Sequence, residues 1–226
     1  MNNVENSLVG ELTPFFAAEG FKWVKSRANF VRKEPHGFSS FSWASYQVGD
    51  EGGRIELVPL LAVRHDLVED VVNELGLVYG DSNKRFTATV DRGLGFFPFK
   101  SGEDEKQYIR IASFELDIEK VVTNIVSMVN SHGRIFFEKY SSLFECSRGL
   151  NNPIESKIHP LCNNFPRRAY SGITAAFFAE NDRVPELVNQ YIAFAKKVQP
   201  NQAEQIAKRF DFLISAAESR ARIGLR

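Results

Sequence analysis

The chain has 226 residues, 43% of them hydrophobic and 12% aromatic, enough to bury a substantial core as one domain or two small ones and too apolar for a disordered tail. Its 28 basic residues balance 28 acidic ones, so no net field draws it to nucleic acid or to an anionic membrane. No apolar run reaches the length of about 20 residues that spans a bilayer, and Met1-Asn2-Asn3-Val4-Glu5-Asn6 carries no basic leader region, so no membrane role is expected and a cytoplasmic location is.

In chain order, Val4, Leu8, Leu12, Phe15 and Phe16 share one helical face, with Gly20 placed for a left-handed cap. Pro14, preceded by Thr13 as a candidate N-cap, predicts a kink or restart in that helix. The period then changes: 21–33 and 38–48 read as strands joined by the turn Glu34-Pro35-His36-Gly37. Phe41 and Trp43 share one parity, Tyr46 and Val48 the other, which predicts a bulge or strong twist near Ala44-Ser45. Residues 54–64 read as a further strand, with Pro59 suggesting an edge or a bulge. A helix carrying Leu67, Val68, Val71, Val72 and Leu75 follows, with Asp66 to cap it and Gly76 to end it.

Shorter strands are expected at 85–91 and 107–114, around a loop at 97–106, before a helix bearing Ile118, Val121, Val122, Ile125 and Val129 behind Asp117. Past Ser131-His132-Gly133 the strand signals stop, and helices are read at 134–146, 169–179, 184–198 and 202–222, with an irregular stretch at 147–166. The chain thus reads as α+β: a curled antiparallel sheet flanked by helices in a domain at 1–131, then a helical region at 132–226 packed on it. Charge is split as well, since 65–131 holds 7 Lys and Arg against 12 Asp and Glu, while 132–226 holds 14 against 9.

Reaction chemistry leaves few traces. His132, Cys146, His159 and Cys162 supply the donor types of a tetrahedral zinc site, but only His159 and Cys162 are closely spaced, so no metal is expected there and no cofactor elsewhere. The two cysteines are too few for a secreted disulfide framework and read as reduced thiols. A Cys–His nucleophile from the same residues requires a third orienting group that spacing does not identify. Glu103-Asp104-Glu105 lacks the alternating ligands of a calcium loop, and Gly93-Leu94-Gly95 lacks the third glycine and helix start of a phosphate cradle. No P-loop, nucleophile elbow or His-Glu-x-x-His pair is present, so the sequence leans away from an enzyme.

The surface candidates are of another kind. Arg167 and Arg168 precede Tyr170, and Lys196-Lys197, Lys208-Arg209, Arg220, Arg222 and Arg226 extend a basic helical face suited to phosphates or an acidic protein. No groove-reading motif accompanies these charges, so nucleic acid is the weaker partner. Trp23, Trp43 and Tyr46 are candidate anchors on the sheet, although aromatics of this kind more often fill a core.

Pro14-Phe15-Phe16, Gly20-Phe21-Lys22, Asn29-Phe30-Val31-Arg32 and the aromatic strands that follow resemble a family of small bacterial proteins catalogued as a domain of unknown function. Some members are associated with the immunity proteins of polymorphic toxin systems. The resemblance covers the first half of the chain and implies a binding role, with a toxin as partner and no catalytic residues to transfer. The expectation is therefore a non-enzymatic protein-binding role, with Arg167, Arg168, Tyr170 and Trp43 as contact residues. Left open beside it are a small-ligand protein or enzyme using His36, His65 or the Cys146 and Cys162 region in a pocket between sheet and helices, nucleic-acid binding through the basic face, and self-association.

Overall fold

In the computed structural model, which describes residues 3–48, 54–78, 80–93, 109–112, 118–156 and 159–224, the chain is α+β, with an open antiparallel sheet and a helical C-terminal half. Its contacts gather into two compact units, Met1–Ala62 with Asp91–Glu138, and Val63–Val90 with Lys139–Arg226. The expected cut at 131/132 is thus replaced by an interleaved division. The physical reason is the apolar face of the helix that follows residue 65, which belongs to the helical core described below.

The first unit begins with α1 (Asn3–Ala18), whose Leu8, Leu12 and Phe16 are fully buried. The helix runs through Pro14 without a break. Thr13 is not its cap; its hydroxyl donates back to Val9 O at 2.6 Å, one turn earlier. Gly20, at φ +81°, supplies the left-handed residue that redirects the chain into the sheet. The segment read as one strand at 21–33 is two: β1 (Lys22–Val24) and β2 (Asn29–Glu34) pair antiparallel across a 3₁₀ turn at Lys25–Arg27, closed by Ala28 at φ 51°. The β2 hairpin to β3 (Gly37–Val48) turns at Pro35-His36 as expected, with Glu34 opposite Gly37. β3 continues unbroken past Ala44-Ser45; the facing of Tyr46 and Val48 lies outside the described residues.

β4 (Arg54–His65), β5 (Val90–Gly93) and β6 (Ile109–Ala112) complete the sheet, in the order β1-β2-β3-β4-β5 with β6 also on β4. β4 is not an edge, which removes one of the two readings of Pro59 and leaves the bulge. The proline lies two residues past Leu57, the last residue that pairs with β6 among the described residues. Phe16 stacks on Phe30 and Phe41 at centroid distances of 4.4 and 4.6 Å. These rings, with Val121 and Ile125 of α4 (Ile118–Met128), form an interior in which each fully buried side chain contributes about 1.5–3 kcal/mol. A π-helical turn at Val129–Gly133 joins α4 to α5 (Arg134–Tyr140) where a break was expected. Asp117, Glu103-Asp104-Glu105 and the loop at 97–106 lie outside the described residues.

The second unit is built on α2 (Asp66–Asn73), α7 (Arg167–Ala179), α8 (Val184–Val198) and α9 (Ala203–Gly224). Val68, Val71 and Val72 join Tyr170, Ile173, Leu187, Tyr191, Ile206, Phe210 and Leu213 in one core. Asp66 does not cap α2, since its carboxylate is spent on Arg64. A single turn, α3 (Asp81–Lys84), stands before the loop into β5, so the strand read at 85–91 begins late. The helix read at 134–146 breaks at Ser141-Ser142, where Ser142 Oγ accepts from Glu145 N and caps α6 (Leu143–Leu150).

Candidate functional site

The second unit contains a concentration of buried polar side chains. At the end of β4, Arg64 is almost fully buried, and each guanidinium nitrogen has a partner: Nε donates to Asp66 Oδ1 at 2.6 Å, one terminal nitrogen to Asp70 Oδ1 at 2.7 Å, and the other to Lys84 O and Thr87 Oγ1 at 2.9 and 2.7 Å. The i, i+4 spacing of Asp66 and Asp70 on α2 presents both carboxylates to this one arginine. Arg64 therefore ties the loop after α3 to α2.

Glu69 lies on the inner side of the same helix, fully buried, paired with Arg167 and accepting from Ser171 Oγ at 3.5 Å, both on α7. Burial pushes its carboxyl above the usual carboxylate range, and Arg167 pulls back, helped by the Thr87 hydroxyl, Arg64 and the Thr89 hydroxyl. His65 Nε2 stands 2.8 Å from Tyr140 O, and the Cys146 thiol donates to that same carbonyl at 3.2 Å. A carbonyl only accepts, so His65 carries its hydrogen on Nε2 and cannot use that nitrogen to take the thiol proton. Burial, with Glu145 and Glu69 nearby, pushes the thiol up as well. Cys146 is a structural thiol in this arrangement, without the electropositive surroundings that activate one.

At the surface of the unit, Arg220 of α9 meets α2: its Nε and a terminal nitrogen donate to Glu74 Oε1 at 3.2 and 2.7 Å, and Asp70 lies 3.7 Å away. The ion pairs thus run from Asp66 through Arg64, Asp70 and Arg220 to Glu74. A pocket of about 310 Å³ opens along this ladder, lined also by Asn73, Lys84 and Arg85. Beside it a groove of about 700 Å³ runs between α2 and α9, with Leu67 and Phe212 as walls, Ser215, Ala216 and Ser219 along the α9 side, and the Glu74 and Arg220 pair at its border. Leu67 is 54% exposed and Phe212 44%. Leu67, read as part of the inward face of α2, is thus on its outer side.

The residues expected to contact a partner have mixed placements. Arg168 and Tyr170 are fully buried, a correction to their reading as surface contacts. Arg168 donates to Pro153 O, Ile154 O and Ser156 O at 3.0, 2.7 and 3.1 Å, and Tyr170 packs edge-on against Phe210 while accepting from Arg209. Arg167 is spent on Glu69. Trp43, half-buried in the first unit, stacks on Trp23 at 5.8 Å. Much of the basic face is paired, Lys197 with Glu155, Lys208 with Glu204 and Arg220 with Glu74, which neutralises it locally.

His132 lies in the π turn of the first unit and His159, Cys146 and Cys162 in the second. His159 accepts from Leu161 N on Nδ1 and faces Asn152 O with Nε2, so both ring nitrogens serve the backbone. Among the described residues no group of three or more His, Cys, Asp and Glu is placed to hold a metal ion. A pocket between sheet and helices does exist within the first unit, about 240 Å³, but neither His36 nor His65 lines it. Its Arg32 lies over the Phe21 ring at 4.8 Å and is bonded to Glu34, while Arg134 is bonded to Glu19.

Sequence reading missed the Arg64–Asp66–Asp70 cluster and the α2–α9 groove. The i, i+4 carboxylates and the unusual apolar pair Leu67-Val68 were the available signals. Comparison of the chain with protein-family models, curated proteins and solved structures finds no match, so the functional reading rests on this chain's own residues. No helix among the described residues is long and apolar enough to cross a membrane.

Proposed function

We propose that the protein works by stoichiometric binding of a protein partner, which lays an amphipathic helix into the α2–α9 groove of the second unit. The observation that carries this reading is the pair Leu67 and Phe212, two large apolar side chains from different helices, both substantially exposed and lining one groove. Large apolar anchors beside a polar rim are the usual anatomy of a protein interface. The small residues Ser215, Ala216 and Ser219, at i, i+1 and i+4 on α9, allow close approach of a second helix between the two anchors. The Glu74–Arg220 bridge supplies the charged rim at that border. Binding by occlusion needs such a surface and no reaction chemistry, and a toxin is the partner that the family resemblance implies.

Affinity capture from the native cell, followed by mass measurement of the intact complex, tests the reading. A one-to-one protein complex that is dissociated by a synthetic peptide covering an amphipathic helix of the partner supports it. Recovery of the bait alone, or of a complex indifferent to every such peptide, rejects it.

A further inference from the structure

The last helix turns one face to solvent, and the charges on that face follow a definite order. Two cations of α9 are used within the fold: Arg209 donates to the Tyr170 hydroxyl at 3.2 Å and Arg220 to Glu74 at 2.7 Å. Glu204, Lys208, Asp211, Glu218 and Arg222 are all exposed, and helical periodicity places them on one face with Phe212 and Ser215. Glu204 and Lys208 bond to each other at 2.7 Å, whereas Asp211, Glu218 and Arg222 have no ion-pair partner among the described residues. Glu204 and Arg222 are opposite in sign and lie equally far from Leu213, one on each side. Lys208 and Glu218 are also opposite in sign and are centred on the same residue. Beside that centre stands Phe212, the large apolar side chain of the exposed face.

We propose that this face of α9 is a dimer interface, occupied by α9 of a second copy of the chain running antiparallel across a two-fold axis at Leu213. Such an axis sets each residue opposite the one equally far beyond the centre. Glu204 then faces the second copy's Arg222, and Lys208 its Glu218. Each end of the contact becomes a cluster of two acids and two bases. Asp211 stands opposite Ser215, whose hydroxyl is a donor. The two Phe212 side chains, one residue from the centre, meet across the axis and lose their exposure to water. Parallel pairing in register opposes Glu204 to Glu204 and Arg222 to Arg222, so the charge order selects the antiparallel arrangement. The dimer rests on α9 alone and not on the partner reading above. It does cover Phe212, so a partner helix entering the α2–α9 groove has to displace the second copy.

The test is sedimentation equilibrium of the purified full-length protein from about 1 to 200 μM, since a single helix pair with one aromatic anchor per copy places the dimer on the order of micromolar. A reversible monomer–dimer equilibrium is expected. Glu204→Arg and Arg222→Glu should each weaken it about tenfold, because the altered contact occurs twice in a symmetric dimer. Combining the two reversals in one chain should restore the parent affinity to within about threefold, since the opposed charges are again of opposite sign. Phe212→Asp should leave monomer, and Lys197→Glu on α8 should change nothing. All these side chains are exposed, so the variants keep the fold. A chain that stays monomeric over the whole range overturns the proposal and leaves the face to a heterologous partner alone. A dimer indifferent to Phe212→Asp or to the single reversals overturns it as well, as does one that the combined reversal fails to restore.

Discussion

Gly172 O accepts a 3.0 Å hydrogen bond from Asn151 Nδ2, and the same glycine makes room for that amide, because a Cβ at residue 172 would overlap Asn151 Oδ1 and stand 3.3 Å from the Tyr191 hydroxyl. Tyr191 in turn donates to Asn151 Oδ1 at 2.9 Å, so one asparagine links the end of α6 to both α7 and α8. Gly172→Ala is therefore expected to destabilise the protein by about 1–3 kcal/mol in urea unfolding, despite the better helix propensity of alanine. Gly10→Ala provides the contrast: nothing lies within 4 Å of a Cβ there, and about 0.5–1 kcal/mol of added stability is expected. Equal effects of the two changes would remove the close-approach argument.

Glu69 gives the fold a definite pH signature. Its carboxyl is raised in the folded state, so between the ordinary glutamate range and the raised value the folded protein holds a proton that the unfolded chain has released. Stability from this group is consequently present at acid pH and lost as pH rises through that window. The stability of Glu69→Gln relative to the unaltered protein should rise across the window and stay flat below it, whatever constant offset the unpaired Arg167 introduces. A relative fall over the same range, in denaturant melts at stepped pH, would reverse the assigned direction.

Arg167 tests the same pair from the other side. Arg167→Met leaves the buried Glu69 carboxylate without its cation, and a loss of about 3 kcal/mol is expected at pH values where that carboxyl is ionised. The loss should shrink in acid, where Glu69 is neutral. A deficit that does not change with pH would show that Arg167 acts through packing alone.

Arg168 is expected to be irreplaceable by lysine. Its fork reaches three carbonyls of the segment after α6, and a lysine ammonium cannot match that planar spread of donors. Arg168→Lys should increase hydrogen exchange at 151–156 and lower stability by about 2 kcal/mol or more. Unchanged exchange in that segment would contradict the role.

What the sequence disclosed follows from what local pattern encodes. The Pro35-His36 hairpin, the helix at 184–198 and the α+β order were legible because turn chemistry and 3.6-residue periodicity act within a few residues. The split at Lys25–Ala28 was not legible, since a left-handed alanine carries no compositional mark. Arg168 looked like a surface residue because burial of an arginine depends on distant carbonyls, here supplied by 153–156. The α2–α9 groove depends on which side of α2 meets the helical core, and the run Leu67-Val68 has an apolar residue on either side of that boundary. Residue type alone does not choose between them.

The most direct measurement is parallel affinity capture with two baits, the unaltered protein and Leu67→Asp combined with Phe212→Asp. Because both side chains are exposed, the double variant should unfold at nearly the same denaturant concentration as the parent, within about 0.5 kcal/mol for each site. A stoichiometric protein partner is expected on the unaltered bait and is expected to be lost from the equally folded variant. Equal recovery of the partner by both baits would contradict it and place the interface away from the α2–α9 groove.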